Sequence, residues 1–290
     1  MPEITLIEAL RQAMDEEMER DERVFITGED VGRRGGVFRA TQGLYDKYGP
    51  DRVIDSPLAE LSIVAIGIGA AMVGMRPICE IQFADYIFPA FNQIVNEAAL
   101  IYYRTGGDWN VPMVIRAPYG GGIGGGLYHS QSVEAFFAHR PGLKIVVPSN
   151  PYDAKGLLKS AVRDPNPVMV FEPKKGYRLI KGEVPPGEYT VPIGPAAVTR
   201  EGTDVTIYAY GMMHYYVLQA AEMVARQDGI SCQVVDLRTL VPLDTETVLA
   251  SFKKTGKALI VYEDNRFLGY GAEIAALLSD EAFEYMDGPI

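Results

Sequence analysis

Two kinds of side chain in this 290-residue chain are set up for proton chemistry, and the first is Glu60. Glu60 closes the run Asp55-Ser56-Pro57-Leu58-Ala59-Glu60 and heads an apolar stretch, residues 61–75, whose single polar side chain is Ser62. Gly67, Gly69, Ala70, Ala71 and Gly74 within it let neighbouring elements approach closely. A helix apolar on all faces is expected to be buried on all of them. A carboxylate at its mouth is costly unless something answers it. The plainer reading is an acid that satisfies the helix N-terminus. Ser56 would then be the cap and Pro57 the first helical residue. A capping box places its acid three residues after the cap, but that position is Ala59 and Glu60 falls one later.

The second is His129, in Tyr128-His129-Ser130-Gln131-Ser132 directly after a glycine-rich run at 120–126. An imidazole beside a flexible loop can exchange protons near neutral pH. The glycines fit G-x-G-x-x-G only by forcing, without the tight strand–turn–helix setting or a suitably placed downstream acid. A mobile loop whose backbone approaches a ligand or another chain is the better reading. Phe83 and Tyr86 are by default core aromatics, and they would also suit stacking on a flat heterocycle. Glu29 sits between glycines in Gly28-Glu29-Asp30-Val31-Gly32, and Gln82 closes a strand. No phosphate-binding lysine loop, nucleophile elbow, H-E-x-x-H or C-x-x-C occurs.

These residues need a scaffold, and the periodicity supplies one. An amphipathic helix over 5–19 opens with Thr5 and Glu8 as a capping box. Short strands follow at Val24–Thr27, Arg52–Ile54, Pro77–Gln82, Pro112–Arg116, Lys144–Val147 and Val168–Phe171. Helices are expected at 40–48, 87–104 and Pro151–Arg163. Such alternation indicates a parallel α/β sheet covered on both faces. The pattern breaks between Glu172 and Pro195. A second α/β series then runs through strands Asp204–Tyr210, Ser231–Leu237 and Ala258–Tyr262, with helices at 214–226, 244–254 and 271–278. In such sheets chemistry gathers at the carboxyl ends of the strands, where Glu29, Gln82 and His129 all fall.

Composition narrows the function. A net charge of −11 argues against nucleic acid. No apolar run has the length of a membrane span. Cys79 and Cys232 lie in separate apolar runs, and the N-terminus has no export signal, so a reducing cytoplasm without a disulfide is expected.

The chain closely resembles the beta subunit of the thiamine-diphosphate-dependent, decarboxylating component of 2-oxo acid dehydrogenase complexes. The resemblance rests on the segments around Glu29, Glu60 and His129. It rests also on Glu80-Ile81-Gln82-Phe83-Ala84-Asp85-Tyr86-Ile87-Phe88-Pro89, on Pro151-Tyr152-Asp153-Ala154-Lys155-Gly156-Leu157-Leu158, and on Val235-Asp236-Leu237-Arg238-Thr239-Leu240. It implies a pyrimidine-binding α/β domain at 1–180, a linker at 181–195 and a transketolase-like C-terminal α/β domain at 196–290. Glu60 would hydrogen-bond the cofactor ring nitrogen opposite the exocyclic amine, favouring the imino tautomer. Leu58, Ala59, Gln82, Phe83 and Tyr86 would line the pyrimidine, with Glu29 in the same acid network. His129 would face the reacting carbon, and Phe83, Tyr86, Tyr128, Ser130 and Gln131 would meet the substrate. A potassium ion would sit on main-chain oxygens near Ala161, Asp164 and Asn166, where Asp164-Pro165-Asn166-Pro167 otherwise reads as a helix-stopping turn.

The resemblance also implies what lies elsewhere. The family holds its diphosphate through magnesium with a Gly-Asp-Gly motif, and the nearest string here is Gly106-Gly107-Asp108-Trp109-Asn110. That end of the cofactor would belong to an alpha subunit, in a two-alpha two-beta heterotetramer docked on a lipoyl acyltransferase core. The Tyr128–Ser132 context and the Phe83–Pro89 run favour a branched-chain 2-oxo acid over pyruvate or acetoin. Relatives continue past Ile290, so a shortened second domain is expected. The rival readings are a non-catalytic assembly partner on the same scaffold and a nicotinamide-dependent dehydrogenase using the glycine loop.

Overall fold

The computed structural model describes residues 2–290, so Met1, the first residue of the expected first domain, lies outside it. Seven strands form the main sheet, in the order Thr239–Val241, Lys144–Val146, Val168–Pro173, Val114–Tyr119, Arg76–Glu80, Val24–Gly28 and Val53–Asp55. Every neighbouring pair is parallel except the first, where Thr239–Val241 runs antiparallel to Lys144–Val146. That edge strand comes from the second α/β series, so the later half of the chain completes the sheet of the earlier half. A second sheet orders Ala258–Val261, Val205–Ala209, Cys232–Asp236 and an antiparallel edge, Ala197–Arg200. Neither edge strand carries enough residues to show a period, and both escape a reading by pattern.

The sequence-level elements form with small shifts. Thr5 caps the Leu6–Arg20 helix, and Thr5 and Glu8 make the expected capping box. Within the expected linker, Lys181–Glu183 pairs antiparallel with Glu3–Thr5. Both cysteines are free and buried. The helix expected over 87–104 is broken into a 3-10 turn at Phe88–Ala90, a π-helical segment at Gln93–Ala98 and an α-helical turn at Ile101–Arg104. Pro89, at the start of this stretch, has no N–H to donate to a regular helix.

The apolar helix departs from expectation at both its start and its faces. It runs Glu60–Met72 with Ala59 as N-cap and no side-chain cap. Ser56 does not cap it, because its hydroxyl donates to the Pro57 carbonyl at 2.9 Å. One face is buried through Ile63, Val64, Gly67, Ile68 and Ala71. Gly67 permits this closeness, since a Cβ there would stand 2.4 Å from the Cys79 sulfur. The opposite face, with Leu61 and Ile66, is exposed in the single chain, contrary to burial on all sides. Among the described residues no helix is long and apolar enough to cross a membrane.

Candidate active site

The carboxyl ends of five parallel strands deliver the candidate residues to one edge of the main sheet. Glu29 follows Val24–Gly28, the Ser56–Glu60 turn follows Val53–Asp55, and Gln82 follows Arg76–Glu80. The glycine loop leaves Val114–Tyr119, and Lys174 follows Val168–Pro173. This is where a parallel sheet opens a crevice for ligands.

Glu60 is the first residue of its helix and is 9% exposed. Its N-terminal position offers the carboxylate the helix dipole. Glu29 stands close enough for Glu60 to act on it: burial, then the charges of Glu60, Asp30 and Glu80, push the Glu29 carboxyl above its ordinary range. Glu29 Oε1 is buried with no hydrogen-bond partner among the described residues. Gln82 braces this loop, its side-chain amide donating to the Glu29 carbonyl at 3.3 Å and to Asp30 at 3.4 Å. Asp55 ties the next loop in by accepting from the Gly32 amide at 2.6 Å.

Beneath the acids lies a buried ion cluster. Arg116 donates to both Glu172 oxygens, at 2.8 and 2.7 Å, and also to Glu80, while the Tyr177 hydroxyl donates to Glu172. Burial raises the Glu80 carboxyl against the opposing pull of Arg116. A paired, hydrogen-bonded cluster of this kind is strongly destabilised when one partner is removed.

On the same edge of the sheet an aromatic cage surrounds His129. The Phe83 ring meets the imidazole edge-on with centroids 4.6 Å apart, and the Tyr86 ring lies at 5.6 Å. The Tyr86 hydroxyl is 3.1 Å from His129 Nε2, and His129 Nδ1 is 3.0 Å from the Gly125 carbonyl. A carbonyl only accepts, so Nδ1 carries a proton, and in the neutral imidazole Nε2 then presents its lone pair to the Tyr86 hydroxyl. Phe38 supports the cage, packing edge-on against Phe83 at 5.3 Å and Tyr177 at 5.2 Å.

Not every expected residue joins these two groups. Leu58 is 80% exposed at the mouth, and Tyr128 and Ser130 face outward. Ser130 and Gln131 enter through their backbone amides, which donate to Asp85 at 3.0 and 3.1 Å. At the turn expected to hold potassium, side-chain cations meet the oxygens of Val162 and Asp164. Arg76 donates to the carbonyls of Val162 and Asp164, and Lys144 pairs with the Asp164 carboxylate at 2.5 Å. Asp55, Asp85, Lys174, Arg116 and Phe38 were not singled out by sequence reasoning. Asp85 carries the one available signal, as the single charged residue in the Ile81–Phe91 run.

Comparison with known proteins assigns the scaffold first. The family description "Transketolase, pyrimidine binding domain" matches residues 2–180, and "Transketolase, C-terminal domain" matches 194–290. A split-gene transketolase, solved as an inactive beta4 tetramer, superposes with a TM-score of 0.79 at 26% identity, covering 96% of this chain and 86% of that one. Within that class the particular family follows. The chain is 59% identical over 290 residues to the 2-oxoisovalerate dehydrogenase subunit beta of Bacillus subtilis, spanning 88% of it. It is 49% identical to the mitochondrial counterpart of Dictyostelium discoideum, spanning 78%, and 48% identical to the pyruvate dehydrogenase subunit beta of Acholeplasma laidlawii, spanning 86%. The chain belongs to the beta-subunit family of the 2-oxo acid dehydrogenases, with its nearer likeness to the branched-chain type.

Proposed function

We propose that this chain is the beta subunit of a dehydrogenase that oxidatively decarboxylates a branched-chain 2-oxo acid. It would act with an alpha subunit in a two-alpha two-beta assembly and pass the acyl group to a lipoyl group of an acyltransferase core, in a reducing cytoplasm. The observation that supports the reading is the orphaned Glu29 oxygen beside Glu60, on the same carboxyl edge of the main sheet that delivers the Tyr86–His129 pair.

That orphaned oxygen suits an aminopyrimidine. A buried acceptor without a partner costs free energy until a donor reaches it, and a ring amine is such a donor. Glu60 would hold the ring nitrogen, with Ala59, Leu58, Gln82, Phe83 and Tyr86 around the ring. When bound, thiamine diphosphate supplies the electron sink for loss of carbon dioxide. Its magnesium-diphosphate end falls to the alpha subunit. Glu60 sets the protonation of the ring, and the buried side of its helix keeps water away. His129 Nε2, with Tyr86, holds or moves a proton at the reacting carbon. Potassium on the oxygens of Ala161, Asp164 and Asn166 would brace the turn at Asp164, and a higher melting temperature in KCl than in NaCl would support it.

The substrate preference follows the relatives, with pyruvate as the second reading because a pyruvate dehydrogenase subunit stands at 48% identity. The test is reconstitution with the alpha subunit and a panel of 2-oxo acids. Glu60→Ala should lower kcat by about 10²–10⁴-fold. Undiminished turnover would leave the non-catalytic assembly reading in its place.

A further inference from the structure

The glycine run is closed by few bonds of its own, chiefly the Gly120 amide to the Gln131 carbonyl at 2.9 Å and the Ser130 hydroxyl to the Gly126 carbonyl at 2.7 Å. Gly120, Gly122, Gly124 and Gly126 all take positive φ, between 69° and 84°. Leu127 and Tyr128 are 73% and 66% exposed, so their side chains anchor nothing. His129 nevertheless sits in a defined cage, and its backbone has to be held from outside the loop.

Two carboxylates hold it, Glu263 at the start of the loop, where it accepts from the Gly121 amide at 2.9 Å, and Asp85 at its end beside His129. Asp85 Oδ1 accepts from the amides of both Ser130 and Gln131, at 3.0 and 3.1 Å, the two peptide groups that follow His129. Asp85 belongs to the 3-10 turn Ala84–Tyr86, which Phe83 caps. The same turn therefore presents Phe83 and Tyr86 to the imidazole and Asp85 to the backbone behind it. Asp85 Oδ2 and Lys174 Nζ are buried without hydrogen bonds among the described residues, 3.8 Å apart, and both side chains are fully inaccessible. The Lys174 ammonium also lies 5.7 Å from the centre of the Phe83 ring. A carboxylate so placed is expensive to bury. Two amide donors and a counter-charge offset that cost, and what the arrangement secures is the position of the loop.

We propose that Asp85, with Lys174 as its counter-charge, is the positioning residue for His129, fixing the imidazole through the Ser130 and Gln131 backbone. The catalytic consequence rests on the function proposed above, but the latch itself does not.

Hydrogen exchange on the whole chain tests the latch directly. In Asp85→Ala the Ser130 and Gln131 amides should exchange about tenfold faster. Asp85→Asn keeps an oxygen acceptor and should stay within about threefold of the parent. Amides of the Val114–Tyr119 strand should be unchanged in both, showing that the sheet is intact. If Asp85→Ala does not fold, Asp85→Ser, whose shorter side chain cannot reach both amides, takes its place: about tenfold faster exchange at Ser130 and Gln131 supports the latch, and parent-like exchange overturns it. Unchanged exchange in a folded Asp85→Ala also overturns it. In the assembled enzyme, Asp85→Ala should lower kcat about tenfold with KM for the 2-oxo acid within about twofold, and Asp85→Asn should restore kcat. Faster exchange with parental kcat would refute the positioning role. No turnover of any 2-oxo acid by the parental assembly would refute the function, while the exchange result still decides the latch.

Discussion

The Tyr86 hydroxyl donates to Nε2 of His129 across 3.1 Å, and the Gly125 carbonyl on the far side of the imidazole fixes which nitrogen carries the proton. One residue from the aromatic turn and one from the glycine loop thus select a single tautomer. Nε2 is left as a base whose partner among the described residues is a hydroxyl, which can still accept a hydrogen bond from a further donor.

This predicts an observable tautomer. Nitrogen-15 spectra of the chain at pH 8 should show His129 protonated on Nδ1 and bare on Nε2. Tyr86→Phe keeps the ring contacts but removes the donor, so it should lower kcat of the assembled enzyme about tenfold without unfolding the chain. Protonation on Nε2 in the parent would contradict the assignment.

A second prediction concerns the buried His214. Its Nε2 is 2.9 Å from the Thr199 hydroxyl, which itself donates to the Val234 carbonyl, and its Nδ1 lies 3.9 Å from Asp236. Burial pushes His214 down from 6.5 to about 4 and Asp236 up from 3.8 to about 8. Asp153 and Arg238 act on Asp236 more weakly. The two groups tilt stability in opposite directions. Between pH 4 and 6.5 the unfolded imidazole binds a proton that the folded one refuses, so the His214 contribution is present above 6.5 and lost towards 4. The folded Asp236 keeps its proton where the unfolded one has released it, so its contribution is present below 3.8 and lost as pH rises to 8. Urea midpoints relative to the parent should show His214→Gln gaining towards pH 4 and Asp236→Asn gaining towards pH 8. Differences that do not change with pH would sink this account.

The sequence makes visible whatever is local or periodic. The Thr5–Glu8 capping box, the parallel strands and the placement of Glu29, Gln82 and His129 at strand ends all follow from spacing. What it hides is decided by distant partners. The Thr239–Val241 strand is three residues long and joins a sheet whose neighbouring strand lies far earlier in the chain. The apolar spacing over 87–104 reads the same for a regular helix as for the 3-10, π and α pieces that form. Asp85 carries no sign of the two amides it meets, 45 and 46 residues later.

The helix at Glu60 gives the last prediction. Its sequence is apolar on every face, yet the chain alone covers only the side facing Cys79 and Met113. Leu58, Leu61, Ile66 and Val73 are 80%, 46%, 60% and 80% exposed. Exposed apolar surface of this kind marks an interaction site. The two-alpha two-beta assembly proposed above should bury this face. Ile66→Glu replaces an exposed side chain, a change expected to move the stability of the isolated chain by about 0.5 kcal/mol or less. Within the assembly it would bury an unpaired charge, which costs several-fold more. The melting temperature of the isolated variant should therefore stay within about 2 °C of the parent. Light scattering after mixing with the alpha subunit should show assembly weakened at least about tenfold. Full assembly at parental concentrations would mean that this face remains open in the enzyme, and the cover for its apolar residues would have to come from another source.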